Sequence, residues 1–227
     1  MPEDSNKASN TARVVFYTSI LTGGILSSFW VYRTYFRRFT CTADVPKNIY
    51  RGRTLVGRVT SVGDGDNFHF YHTPGGKLAG WGWLRPYPET NKRGLGKETL
   101  HIRLYGVDAP ERAHFGREGQ PYGDEALAWL RSYILGRNVR VKLFSPDQYG
   151  RIVGGAKVWK LTGRKDVSTE MLKHGWGVKY EGKMGAEFNG KGKLFEKLEE
   201  HARKKRIGMF QQKGKIVTPG QYKKEGE

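Results

Sequence analysis

Between Arg13 and Arg33 the chain runs for 19 residues without a formal charge. As a helix rising about 1.5 Å per residue, residues 14–32 span about 28 Å, the thickness of one bilayer core. A stretch of this kind can cross a membrane, serve as a signal peptide or pack inside a protein core. Thr18, Ser19, Thr22, Gly23, Gly24, Ser27 and Ser28 dilute it, yet it ends in Phe29-Trp30-Val31-Tyr32 followed by Arg33, Arg37 and Arg38. Signal peptides have shorter apolar runs and a small-residue cleavage site, so the pattern predicts an uncleaved single-pass helix with Trp30, Tyr32 and Tyr35 in the headgroup belt. Arg33, Arg37, Arg38 and Lys47 outweigh Lys7 and Arg13, which keeps the C-terminal part on the side of synthesis. The four-residue repeat of Ser19, Gly23 and Ser27 reads as weak hydrophobicity rather than a helix-pairing face.

Before the helix Glu3, Asp4, Lys7 and Arg13 cancel, so the net charge of +18 lies wholly beyond it. An excess of that size attracts polyanions, which means nucleic acid or an anionic membrane surface. A lone Cys41 excludes an internal disulfide and a cysteine-built zinc site. The 29 Phe, Tyr and Trp residues suffice for a core in one domain of ordinary size.

Residues 33–52 lack periodicity and read as a linker, with the domain at 53–211 and a basic disordered tail at 212–227. Residues 54–62 and 66–73 are β-rich runs joined by Gly63-Asp64-Gly65, the signature of a hairpin. Further strands are expected at 100–105, 138–144 and 152–159. In the second of these, Val139, Val141 and Leu143 alternate with Arg140 and Lys142, giving one buried and one cationic face. Ala126, Leu127, Leu130 and Ile134 recur at helical spacing over 122–135, and Gly136 stands at the C′ position. A short helix is expected at 168–174, capped by Ser168 or Thr169, and a third over 193–206 with Leu194, Leu198 and Ala202 as its apolar stripe. Five strands and three helices make an α+β domain built on an antiparallel barrel.

Three segments carry chemistry: Asp64-Gly65-Asp66, the run from Arg103 through Gly106-Val107-Asp108-Ala109-Pro110 to Glu111, and Asp147-Gln148-Tyr149-Gly150-Arg151. In this order, with Gly123-Asp124-Glu125-Ala126 opening a helix between the last two, they resemble the staphylococcal-nuclease-like (thermonuclease) family over residues 53–211. A nuclease domain behind a transmembrane helix resembles in particular a fungal, membrane-anchored branch associated with mitochondria. The resemblance implies a five-stranded OB-type barrel with three helices, and hydrolysis of phosphodiester bonds.

Such hydrolysis needs an activated water, an electrophilic cation and donors for the charge that develops on phosphate. Asp66 and Asp108 are hard oxygen ligands suited to Ca²⁺, with the Ala109 carbonyl as a third. By resemblance, Arg103 and Arg151 are the phosphate-binding arginines, Glu111 is the general base, and Tyr149 and Tyr180 contact the nucleotide. Alternation along the strand supports Arg103, since Ile102 and Leu104 point one way and Arg103 points the other, beside His101 and Tyr105. The sequence departs from the family at Ala109 and Asn67, where the bacterial enzyme has threonines. It also has a longer connection at 74–98, where Trp81, Trp83 and Tyr87 alternate with Arg85, Lys92 and Arg93. That pattern suits base stacking, rest on a nearby membrane surface, or a solvated loop. His69 and His72 are three apart on a strand, face opposite sides and serve structure.

The reading is a membrane-anchored, Ca²⁺-dependent endonuclease acting on DNA or RNA with little base specificity, with no obligate protein partner. Two alternatives stand beside it: a non-catalytic OB-type module that tethers nucleic acid to a membrane, and a membrane protein whose basic face grips anionic lipid.

Overall fold

The computed structural model describes residues 3–113, 118–181, 187–212 and 217–224. It divides into two compact units, residues 1–38 and 39–227.

In the first unit a single helix, α1 (Glu3–Val31), passes into a π-helical turn at Tyr32–Phe36. Its part Ala12–Phe36 is long and apolar enough to cross a membrane, and none of that part is buried. Two of the hydroxyls that dilute its hydrophobicity, those of Thr18 and Ser19, are satisfied within the helix. Thr18 donates to the Val14 carbonyl and Ser19 to that of Val15, each at 2.8 Å. A polar side chain bonded back to its own helix presents little unmet polarity to an apolar surrounding.

The second unit starts earlier than the sequence suggests. Phe39, Val45 and Ile49, expected in a linker, are buried in the main core. Five long strands follow: β1 (Thr54–Asp64), β2 (Asn67–His72), β3 (Leu100–Leu104), β5 (Asn138–Pro146) and β6 (Ile152–Lys160), with the two-residue β4 (Val107–Asp108) between the third and fourth. Neighbours pair in the order β3-β2-β1-β5-β6, and a parallel pairing of Arg103 with Val153 joins β3 to β6, so the five strands close on one another. β7 (Gly163–Asp166) folds back and pairs antiparallel with β6, and β8 (Val178–Lys179) pairs with β4.

β5 alternates as expected, with Val139, Val141 and Leu143 inside and Arg140 exposed. The β1–β2 turn lies one residue further on than expected: Asp64 pairs with Asn67, leaving Gly65-Asp66 as its two residues. Tyr105 does not continue the outward row of β3. The strand ends at Leu104, and Tyr105 turns inward, where its hydroxyl donates to Asp166 at 2.9 Å.

α2 (Gly123–Ile134) buries Ala126, Leu127, Leu130 and Ile134, and Gly136 follows in the left-handed region at φ 69°. α3 (Val167–Lys173) is capped not by Ser168 or Thr169 but by Asp166, whose carboxylate accepts from the Thr169 amide at 3.0 Å. α4 (Gly192–Lys204) buries Phe195 and Ala202 while Leu194 stays exposed. Aromatic size decides the helix's rotation, since the Phe195 ring packs on Tyr105 at 5.4 Å. Within the segment expected as a disordered tail, α5 (Pro219–Lys224) forms a short helix.

Candidate active site

The β1–β2 turn is drawn against the chain after β3. A Cβ on Gly65 would sit 2.6 Å from that of Ala109 and 3.5 Å from that of Ala126, so only glycine permits this approach. The Asp66 carbonyl accepts from the Leu104 amide at 2.8 Å, which fixes the turn to the end of β3. Asp66 and Asp108 thereby reach the same guanidinium. Arg103 Nε donates to Asp66 Oδ2 at 3.3 Å and Arg103 Nη2 to Asp108 Oδ1 at 3.0 Å.

All three side chains are largely buried. Burial disfavours the Arg103 cation, but the carboxylates of Asp66 and Asp108 more than offset it and push its pKa up. The β4–β8 pairing carries Tyr180 to this cluster, and the Arg103 guanidinium lies 4.7 Å from the centre of its ring. Asp64 lies close by as well. Burial first, then the charges of Asp66 and Glu111, push its carboxyl up to about 6. Asp66 and Asp108 thus share one arginine, and the charges of Asp66 and Glu111 are felt at Asp64.

Glu111 is held through its main chain. Gln120, only 8% exposed, accepts from the Glu111 amide through Oε1 at 2.9 Å, and its own amide donates to the Glu111 carbonyl at 2.7 Å. Gln120 Nε2 donates in turn to the Val217 carbonyl at 3.0 Å, and the Tyr222 hydroxyl donates to the Glu118 carbonyl. The chain preceding α5 and the helix itself are therefore bonded to the segment bearing Glu111.

Arg151 and Tyr149 form a second cluster beyond β5. Arg151 Nε donates to Asp147 Oδ2 at 2.6 Å, and the same carboxylate caps the turn by accepting from the amides of Tyr149 and Arg151. Burial would raise the Asp147 pKa, but the donors of Arg151 and the Tyr149 amide outweigh it and lower it. Arg151 also lies 5.2 Å from the ring centre of the exposed Tyr149.

His101 stands between the clusters. It stacks on His69 at 4.5 Å, and its Nε2 bonds Asn67 Oδ1 at 3.1 Å, while Asn67 Nδ2 donates to Asp66 Oδ1 at 3.3 Å. Burial, then the charges of His69 and Arg151, depress its pKa to about 4, so it is neutral near pH 7. His72 faces the other way and accepts from the Phe39 amide at 3.1 Å.

The structure brings Asp66, Asp108, Arg103 and Tyr180 together, joins Arg151 to Tyr149, and ties Glu111 to Gln120. Ala109 supplies the buried surface on which Gly65 rests. Sequence reasoning missed the parts played by Asp64, His101, Gln120 and Asp147. Asp147 was within reach, four residues before Arg151 in a turn motif. Gln120 gave no local signal, because its partners are set by tertiary packing.

Comparison with known proteins identifies the family. The family model of the staphylococcal nuclease homologue matches residues 101–212. A protein of Yarrowia lipolytica named "Probable endonuclease LCL3" is 93% identical over 225 residues, covering 99% of this chain and all of that protein. Proteins of the same name from Komagataella phaffii and Pyricularia oryzae are 52% identical over 214 residues and 50% over 206, covering 93% and 91% of this chain and 93% and 80% of theirs. The chain therefore belongs to the staphylococcal nuclease homologue family and is a nuclease of the hydrolase class.

Proposed function

We propose that the chain is a Ca²⁺-dependent endonuclease that cleaves DNA or RNA with little base specificity. Its domain, an OB-type barrel over 53–211 preceded by packed residues from Phe39 on, is held at a membrane by the helix at 14–32. By likeness to the fungal branch of the family that membrane is mitochondrial. The observation that carries the reading is Arg103 held between Asp66 and Asp108, beside an Asp64 whose carboxyl is pushed up by burial and then by the charges of Asp66 and Glu111. A carboxylate cluster with surplus negative charge is suited to a hard cation, and nucleases of this family are generally Ca²⁺-dependent. Among the described residues no group of three or more His, Cys, Asp or Glu converges as a metal site. The set offered here is therefore two carboxylates, Asp66 and Asp108, with the Ala109 carbonyl, completed by water. When bound, Ca²⁺ supplies an electrophile for the phosphoryl oxygens.

Glu111 takes the proton of the attacking water. Arg103 and Arg151 neutralise the charge that grows on the phosphoryl oxygens as the P–O bond to the leaving group breaks. Asp147 occupies Nε of Arg151, leaving the Nη edge to phosphate. Tyr180 and Tyr149, each beside one arginine, offer faces to the nucleotide. Contacts of this kind read backbone rather than base edges.

The test is single-turnover cleavage and oligonucleotide affinity for wild type and Glu111→Gln at saturating Ca²⁺. The amide keeps size and removes the base, so cleavage falls about 10² to 10⁴-fold while affinity holds. Equal cleavage by both proteins removes Glu111 from the mechanism. No cleavage by wild type with any divalent cation makes the chain a binding module.

A further inference from the structure

The connection between β2 and β3 has an exposed apolar tip that the site does not use. Leu78 is 99% exposed, Trp83 74% and Leu84 69%, flanked by exposed Lys77 and Arg85. The tip is braced. Trp81 is buried and donates its indole N–H to the Pro74 carbonyl at 3.1 Å, Trp83 donates to the Lys77 carbonyl at 2.9 Å, and Tyr87 stacks on Trp81. A braced loop that holds two leucines and an indole in water is an interaction surface rather than an accident of a loose loop.

Its place in the fold says what covers it. β2 runs from Asn67, beside Asp66 and Arg103, to His72, so the two ends of that strand lie about 17 Å apart at roughly 3.3 Å per residue. The tip's loop leaves from the His72 end, where the Thr73 amide donates to the Val56 carbonyl. Phe39 enters the domain at this same end: its ring stacks on His72 at 5.0 Å and its amide donates to that imidazole. Only Arg37 and Arg38 separate Phe39 from the last residue of the apolar stretch, Phe36.

We infer that Leu78, Trp83 and Leu84 insert into the headgroup region of the anionic bilayer that the N-terminal helix crosses. The inference rests on the membrane-anchor reading given above. Aliphatic tips offer nothing to a phosphate or a base edge, whereas leucines and tryptophan beside Lys77 and Arg85 match an anionic lipid surface. The β2–β3 connection carries five Lys and Arg against two Glu over residues 74–98, which suits the same partner. The tip's loop and the entry of the chain at Phe39 share one end of β2, and Asp66 and Arg103 stand at the other.

The test uses the full-length chain with Cys41→Ser in vesicles of phosphatidylcholine and phosphatidylglycerol, carrying one environment-sensitive nitrobenzoxadiazole label at Leu78→Cys, Leu84→Cys or the exposed control Lys197→Cys. These positions are exposed, so the substitutions leave the core intact. The expected result is a blue-shifted emission quenched by doxyl-labelled lipid at 78 and 84 and an aqueous emission at 197. Aqueous emission at 78 and 84 overturns the inference, as does protection of these labels by oligonucleotide instead of lipid. Carbonate washing of the same vesicles reports the helix separately. Retention with aqueous labels sinks the tip alone, and release of the chain sinks the spanning helix.

Discussion

Gly65→Ala is the sharpest test of how the site is assembled. The added methyl would lie 2.6 Å from Ala109 Cβ, a distance that real Cβ atoms do not occupy, and Ala109 is itself buried. The φ of Gly65 is not positive, so backbone conformation contributes nothing and the cost is steric. Overpacking by one methyl in such a place costs about 1 to 3 kcal/mol. For a chain of this size that lowers the melting temperature by about 2 to 12 °C. The structure also names the cure. Ala109→Gly removes the opposing methyl but keeps the main-chain carbonyl, and alone it costs about 1 kcal/mol in lost burial and added unfolded-state freedom. The double variant should therefore be more stable than the two single effects added together, by about 1 kcal/mol or more. Thermal unfolding of all four proteins with and without Ca²⁺ supplies the cycle. Additive effects, or a Gly65→Ala protein as stable as wild type, would refute the close approach that brings Asp66 to Asp108.

Gln120→Ala releases the Glu111 amide and the chain before α5 together, so cleavage should fall about 10 to 100-fold through misplacement of the base while oligonucleotide affinity holds; unchanged single-turnover rates would rule out the positioning role. His101 has a depressed pKa, so its contribution to stability is complete above its ordinary value of 6.5 and is lost as pH falls toward about 4. Unfolding of His101→Gln should accordingly show a shallower loss of stability across that window than wild type, and equal slopes would count against it. Affinity for single-stranded oligonucleotides should fall with salt with a log-log slope of about −0.7 per phosphate neutralised, and a salt-independent affinity would exclude backbone recognition.

What the sequence alone determined is whatever depends on neighbours along the chain. A charge-free run closed by aromatics and arginines marks the apolar part of α1, though the helix itself begins at Glu3; the alternation of Val139, Val141 and Leu143 with cationic residues defines β5, and the 126-127-130-134 spacing with Gly136 defines α2 and its end. Asp66, Arg103, Asp108 and Arg151 could be singled out because they lie in short segments that resemble the family's. Tertiary structure decided what depends on contacts between distant segments. It set the rotation of α4, where the size of Phe195 outweighed the regular spacing of Leu194. It drew Phe39 into the core from a stretch with no periodicity, and gave Gly65 a steric rather than a conformational reason. Gln120, which holds Glu111, reaches Val217 across 97 residues, and His101 reaches Asn67 across 34. Periodicity records which face of an element is apolar. Which polar atom meets which other is fixed only when the elements pack, because a buried donor takes the acceptor that packing places before it.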